Sequence, residues 1–188
     1  IDRLDNEAER LQRLVIDLLD LSRLEETPDP DRCPRTDLHS AIVTSFMAHK
    51  GEAEDKHLDL VLDDRSVTGD DCYADMEPSD ASLVFDNLIE NAIMYTDEGS
   101  ILVTFEPRGH EIAVIVQDTG IGIPQTDQSR IFERFYRVDK ARSREVGGTG
   151  LGLSLVRHAV ERSKGRVSVK SNPGEGSQFT VVFPRAKR

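Results

Sequence analysis

The sequence predicts an α+β fold: a two-layer sandwich of a mixed, roughly five-stranded sheet with three helices on one face, preceded by a long helix. Three observations carry that prediction. Apolar residues recur at helical spacing in several long segments, while shorter runs bounded by turn residues read as strands. The two kinds are mixed in order along the chain rather than strictly alternating. A proline-rich break then separates the first helix from everything after it.

Residues 1–26 place Leu4, Ala8, Leu11, Val15 and Leu18 at alternating four- and three-residue steps, with Leu14, Leu21 and Leu24 widening the stripe. That spacing predicts a long amphipathic helix with coiled-coil character, whose apolar face needs a partner. Thr27-Pro28-Asp29-Pro30 ends it, because proline has no amide proton to donate and stiffens the chain. Residues 27–34 are read as a linker and 35–188 as the second domain, since composition and periodicity both change there.

Asp37 is a suitable N-cap for a helix reaching about Glu54, with Leu38, Ile42 and Phe46 on one face. Leu58, Leu60 and Leu62 alternate with polar neighbours as in a strand, Asp63 to Ser66 turn the chain, and a short strand follows near Tyr73. Pro78-Ser-Asp80 opens a strong helix carrying Leu83, Phe85, Leu88, Ile89, Ala92 and Ile93, and Asp97-Glu98-Gly99 ends it. Ile101 to Glu106 and Ile112 to Gln117 flank Arg108-Gly109-His110, a hairpin by its turn chemistry, and the second strand delivers Asp118 at its end. A further apolar-periodic segment, Ser154 to Glu161, reads as a helix opened by the glycine-rich stretch before it. Arg166 to Lys170 and Gln178 to Phe183 then flank a turn around Asn172 to Gly176.

With 188 residues and 37% hydrophobic content the chain can bury one ordinary core, or a smaller one with an appendage. A net charge of −11 argues against nucleic acid, whose binding draws on Lys and Arg. Cys33 and Cys72 have neither disulfide-framework nor zinc spacing, and a reducing cytoplasm fits them. No apolar run approaches the ~20 residues that cross a bilayer. Ile1 stands where an initiator Met would, so an excised fragment is expected.

Two glycine clusters punctuate the second domain: Asp118-Thr-Gly-Ile-Gly-Ile-Pro124 and Gly147-Gly-Thr-Gly-Leu-Gly-Leu153. The second runs into a helix, whose first N–H groups could receive phosphate oxygens. Register removes the familiar schemes. There is no G-x-x-x-x-G-K-[ST] loop, the third dinucleotide glycine would fall on Gln125 or Leu153, and the downstream motifs of a protein-kinase loop are absent. The glycines belong to another phosphate or nucleotide scheme, or to plain turns.

Five blocks in order across the second domain resemble the catalytic, ATP-binding domain of sensor histidine kinases, of the gyrase/Hsp90/histidine-kinase/MutL type. Asn87-Leu-Ile-Glu-Asn-Ala-Ile-Met-Tyr-Thr96 resembles the N box and Asp118 to Pro124 the first glycine box. Ile131-Phe-Glu-Arg-Phe-Tyr136 resembles the F box and Gly148-Thr-Gly-Leu-Gly152 the second glycine box. Ser171 to Phe179 resembles the closing glycine turn. The fold so implied is the Bergerat type.

The resemblance also implies roles. Asp118, at a strand end, would accept a hydrogen bond from the N6 amine of adenine, and guanine, with a carbonyl there, would be disfavoured. Gly120, Gly122 and Ile123 flank it at the adenine side, while Gly148, Thr149, Gly150, Leu151, Gly152 and Leu153 would hold the phosphates. Asn91 lies one turn beyond Asn87 on the same face, and its amide oxygen is a hard ligand suited to Mg²⁺. The resemblance makes Asn91 the metal ligand and Asn87 a support at the phosphate end; taken alone, an Asn on a mostly apolar helix reads first as a local hydrogen bond. Glu90 is a candidate polarising group, and Tyr95 packs near the nucleotide or in the core. Related ATPases carry a water-activating Glu where Asn87 stands, which argues for transfer over hydrolysis. Met94 replaces the family's usual Lys, His or Arg, leaving Arg134, Arg137 and Lys140 as candidates for the missing cation. Residues 125–146, anchored by Phe132, Phe135 and Tyr136, suit a lid over the nucleotide.

Glu9 to Glu25 resembles the second helix of the dimerisation and histidine-phosphotransfer hairpin that precedes this domain in such kinases. The family's acceptor sits on the first helix in a block such as His-Glu-x-x-x-Pro, and none of His39, His49, His57, His110 or His158 has that context. The reading is therefore an ATP-dependent protein-histidine kinase fragment. It would bind ATP and Mg²⁺ and pass the γ-phosphoryl to a histidine it lacks, for onward transfer to the receiver domain of a response regulator. It would not phosphorylate itself. The fragment is expected to be cytoplasmic, from a membrane-anchored parent that forms a homodimer through the hairpin. Two alternatives share the fold: an ATPase of the same superfamily, and a degenerate nucleotide-binding scaffold.

Overall fold

A computed structural model describes residues 2–26, 34–67, 72–138 and 148–186. Cys33, Lys140, residues 27–33 of the linker and 139–146 of the lid lie outside them. The chain runs α1 (Asp2–Glu25), β1 (Arg35–Asp37), α2 (Leu38–Asp55), β2 (Asp59–Asp63), β3 (Tyr73–Asp75) and α3 (Pro78–Tyr95). It continues through β4 (Ser100–Arg108), β5 (Glu111–Asp118), α4 (Gly152–Arg162), β6 (Arg166–Asn172) and β7 (Gly176–Pro184).

Five strands form one sheet in the order β2-β4-β5-β7-β6. β2 joins β4 in parallel and every other pairing is antiparallel, so the sheet is mixed, as expected. The strand anticipated near Tyr73 is not part of it. It pairs instead with β1 in a separate two-stranded ribbon, Arg35 opposite Asp75 and Asp37 opposite Tyr73. Three residues are too few to show alternation, which is why β1 left no signature in the sequence.

Local chemistry sets the helix ends. The Asp37 carboxylate accepts from the backbone N–H of His39 at 3.0 Å and of Ser40 at 3.2 Å, capping α2. On α2, Leu38 and Ile42 are fully buried, but Ser45 rather than Phe46 takes the next inward position. α3 starts on Pro78, whose missing N–H costs nothing in a first turn. Its other end is closed from outside: the Lys56 ammonium donates to the carbonyls of Ile93 at 2.6 Å and of Met94 and Thr96 at 3.4 Å. A cation there satisfies orphan carbonyls and opposes the negative end of the helix dipole.

Alternate residues of the central strands, Ile101, Val103 and Phe105 of β4 and Val114 and Val116 of β5, are buried with Phe85, Leu88 and Ile89 of α3 in one core. The Gly109-His110 turn fixes the register that sets Ile101 opposite Asp118. The last residue of β5 is thereby carried to the C-terminal end of α3, where the first glycine segment also arrives.

α1 is held along its second half. Leu21 and Leu24 are buried, while Leu11, Val15, Leu18 and Leu19 stay exposed. Arg23 reaches Asp80 at 2.9 Å, and Arg162 of α4 donates to the Arg23 carbonyl at 3.0 Å. Asp80 is almost wholly enclosed at the start of α3; burial raises its carboxyl pKa, and Arg23 and Arg162 act against that rise. Among the described residues, no helix is long and apolar enough to cross a membrane.

Candidate nucleotide site

The end of α3, the turn after β5, the turn before α4 and the flank of α1 enclose a cavity of about 390 Å³. That size lies within the range of small-molecule sites.

Asp118 stands at one end. It is 6% exposed, and its Oδ1 accepts two backbone N–H groups, Gly120 at 2.9 Å and Ser177 at 3.1 Å. Burial raises its carboxyl pKa and these two donors pull it back. Because both donors use Oδ1, the carboxylate is oriented with Oδ2 left for a ligand. The turn that follows is stitched down: Ile121 donates to the Tyr95 carbonyl at 3.1 Å, and Gly174 to the Ile121 carbonyl at 2.8 Å. Gly122 has φ +70°, and a Cβ there would lie 1.9 Å from the Asn172 carbonyl oxygen, so no side chain fits. Ser171 accepts from the Ile123 N–H at 2.7 Å, tying the closing turn to the first glycine cluster.

The opposite end is made by α3 and the start of α4. The Asn87 amide donates to the Leu83 carbonyl at 2.9 Å, and the Asn91 amide to the Asn87 carbonyl at 2.7 Å. Each side chain thus spends its NH₂ on the helix one turn back, which leaves its oxygen as the remaining acceptor. Both residues line the cavity. A Cβ on Gly152 would sit 2.3 Å from Asn87 Oδ1, so the first residue of α4 and the Asn87 oxygen occupy adjoining space. An amide oxygen in a carboxylate-bearing wall is a donor set that fits Mg²⁺. Glu90 also lines the cavity; burial raises its pKa, and Arg13 at 3.8 Å partly offsets this.

Most residues singled out in the sequence converge here. Asn87, Glu90, Asn91, Tyr95, Asp118, Gly122, Ile123, Arg137, Gly148, Thr149, Gly150, Gly152 and Leu153 all line the cavity. Gly120 and Leu151 do not: Gly120 backs the wall through its N–H to Asp118, and Leu151 is fully buried beneath it. Arg134 is turned away and pairs with Glu25 at 2.7 Å. Lys140 lies outside the described residues. Lys56 is committed to the end of α3, so among the described residues Arg13 and Arg137 are the cations in the wall beside Met94.

The segment before the second glycine cluster differs from expectation in its anchor. Ile131 and Phe132 are buried, Phe132 edge-on to Phe179 at 6.5 Å, and Tyr136 is held by Asp127 and stacked under Arg130 at 4.3 Å. Phe135 is 59% exposed and is no anchor. Its backbone matters instead, because its N–H donates to the Gly150 carbonyl at 2.9 Å. Sequence reasoning also missed Arg13, Ile16, Asp17 and Asp20, which α1 adds to the cavity wall. Their spacing of three and four residues marks one helix face, but nothing local says that this face meets residue 149.

The profile of the family described as histidine kinase-, DNA gyrase B- and HSP90-like ATPase matches residues 76–187. The sensor-like histidine kinase SenX3 of Mycolicibacterium smegmatis is 38% identical over 182 residues, 95% of this chain and 46% of that protein. The sensor histidine kinase RppB of Synechocystis is 40% identical over 184 residues, 96% of this chain and 39% of that protein. The chain therefore spans less than half the length of these relatives. The crystal structure of full-length ShkA in complex with AMPPNP superposes with a TM-score of 0.83 at 23% identity, over all of this chain and 38% of that one, a likeness of fold. With the family's match covering the cavity's α3, β5 and α4 walls, the chain belongs to the histidine kinase-, DNA gyrase B- and HSP90-like ATPases.

Proposed function

We propose that this chain is the catalytic portion of a sensor histidine kinase. It binds ATP with its adenine at Asp118 and its phosphates along Gly148–Leu153. The γ-phosphoryl passes to an imidazole nitrogen outside the cavity's own residues: the bond from γ-phosphorus to the bridging oxygen breaks, a P–N bond forms, and ADP leaves. A receiver domain of a response regulator would take the phosphoryl next. The carrying observation is that one cavity has an oriented, buried carboxylate at one end and a glycine turn seated on Asn87 at the other. None of the described histidines lines it.

Asn91, supported by Asn87, would hold Mg²⁺, which when bound supplies positive charge against the phosphates. Asp118 Oδ2 accepts the adenine amine, and Ile123, Leu153 and Tyr95 give the base apolar cover. Residues 1–26 would serve as a helix of the phosphotransfer hairpin, residues 27–34 as a linker and 35–188 as the catalytic domain, with 125–146 over the nucleotide. The exposed Leu11, Val15, Leu18 and Leu19 suit pairing within a homodimer. A membrane-anchored parent with this portion in the cytoplasm completes the proposal.

The test is transfer in trans. With γ-labelled ATP, Mg²⁺ and a separate hairpin carrying an acceptor histidine, acid-labile, base-stable label is expected on the hairpin alone. Such label retained on this chain overturns the reading. Steady phosphate release abolished by Glu90→Gln would favour the ATPase reading, which the placement of Glu90 in the wall supports.

A further inference from the structure

We propose that Asp17 of α1 competes with a nucleotide's phosphates for the Thr149 hydroxyl, making α1 a determinant of how tightly the cavity takes nucleotides of increasing phosphate number. The inference rests on the reading of Gly148–Leu153 as the phosphate-binding segment.

Thr149 Oγ1 donates to Asp17 Oδ2 at 2.5 Å, across 132 positions of sequence, and accepts from the Leu151 N–H at 3.2 Å. A threonine hydroxyl has one proton to give. While it is given to Asp17, it is not available to a phosphate oxygen. A carboxylate makes the same demand as a phosphate, an anionic acceptor seeking short, charge-assisted hydrogen bonds. Asp17 thus occupies the role of a phosphate oxygen with a side chain of the protein's own.

Charge sharpens the competition. Asp20 stands in the same wall beside Asp17, and Asp86 and Glu90 face them from α3. Arg13 and Arg137 are the cations of that wall among the described residues. A polyphosphate entering this end meets Asp17 directly, and the repulsion grows with each added phosphate. Adenosine, which reaches only the Asp118 end, meets none of it. Burial also raises the Asp17 pKa against the Thr149 hydrogen bond, the mark of a carboxylate held where its charge is costly.

Asp17 is held there by packing beyond it. Leu21 and Leu24 are buried and Arg23 is fixed to the enclosed Asp80, starting about one turn along from Asp17. The helix delivers its carboxylate by docking, and a shift of α1 would withdraw it without altering the glycine turn.

The experiment is a calorimetric titration of the 188-residue chain with adenosine, ADP and ATP at fixed Mg²⁺, for wild type, D17N, D17S, D17E and T149V. For D17N and D17S, ATP is expected to bind about fivefold tighter, ADP about twofold tighter and adenosine unchanged, while D17E stays near wild type. Unchanged adenosine affinity certifies that each variant is folded. If T149V weakens ATP but neither D17N nor D17S tightens it, the inference is overturned and the phosphate-segment reading stands. If T149V leaves ATP binding unchanged, the hydroxyl makes no phosphate contact and the inference is overturned; if ATP binds no tighter than adenosine in any variant, the phosphate-segment reading fails and takes the inference with it.

Discussion

Replacing Asp118 by Asn removes a charge from the cavity and leaves its scaffold in place. Both backbone N–H groups, of Gly120 and Ser177, fall on Oδ1, so an Asn side chain can keep its carbonyl oxygen there. Its NH₂ then takes the position of Oδ2 and points a donor at the donor of an adenine amine. A polar group left unsatisfied in an enclosed site costs about 1–3 kcal/mol, which is about 5- to 150-fold in affinity. Stability should move the other way. Burial raises the Asp118 pKa above its unfolded value of 3.8, so the folded protein holds that proton more tightly than the unfolded chain does. Its contribution to stability therefore falls as pH rises through the interval from 3.8 to the raised value, and at neutral pH the ionised group is a cost. D118N has no such cost. Its unfolding temperature at neutral pH is expected to equal or exceed that of wild type, the advantage shrinking as pH approaches 3.8. Adenosine titration and thermal unfolding at several pH values read both effects. A D118N protein that binds adenosine like wild type would refute the assignment, and one that unfolds earlier at neutral pH would refute the electrostatic argument.

Gly152→Ala should separate binding from stability. Alanine gains about 1 kcal/mol of helix propensity in the first turn of α4. Its Cβ, 2.3 Å from Asn87 Oδ1, must displace an amide anchored on Leu83, so ATP affinity should drop while the unfolding temperature moves by only a few degrees, roughly as the two terms offset. Arg23→Ala leaves the enclosed Asp80 with the more distant Arg162, at 3.9 Å, as its remaining cation among the described residues and should destabilise by about 2 kcal/mol, less than a wholly buried pair because Arg23 is 36% exposed, as read by denaturant titration. His49 has its pKa raised above 6.5, first by Asp86. Its contribution is present in full below 6.5 and lost as pH rises through the raised value, so His49→Gln should flatten stability against pH in that window.

Much of this arrangement was legible in the sequence because it rests on local rules. The α3 stripe, the Gly109-His110 hairpin and the Asp37 cap each follow from spacing or turn chemistry within a dozen residues. The convergence of Asn87, Asp118 and Gly152 followed from resemblance, and the fold brings all three to one cavity. What escaped was tertiary. Phe135 sits in an aromatic-rich run, yet its φ of +61° turns the side chain outward while its amide serves Gly150. Arg134, two residues from the buried Phe132, faces α1 instead of the phosphate end. The α1 face carrying Arg13 and Asp17 reads as an ordinary solvated stripe until packing sets it over Glu90 and Thr149.

The central claim is that adenine nucleotide binds between Asp118 and the glycine turn before α4. A calorimetric titration of ATP and GTP with Mg²⁺ into wild type and D118N tests it most directly. Saturable one-to-one binding of ATP by wild type is expected, much weaker binding of GTP, and loss of the preference in D118N. Equal affinity for ATP and GTP, or no saturable ATP binding at millimolar concentration, would contradict it.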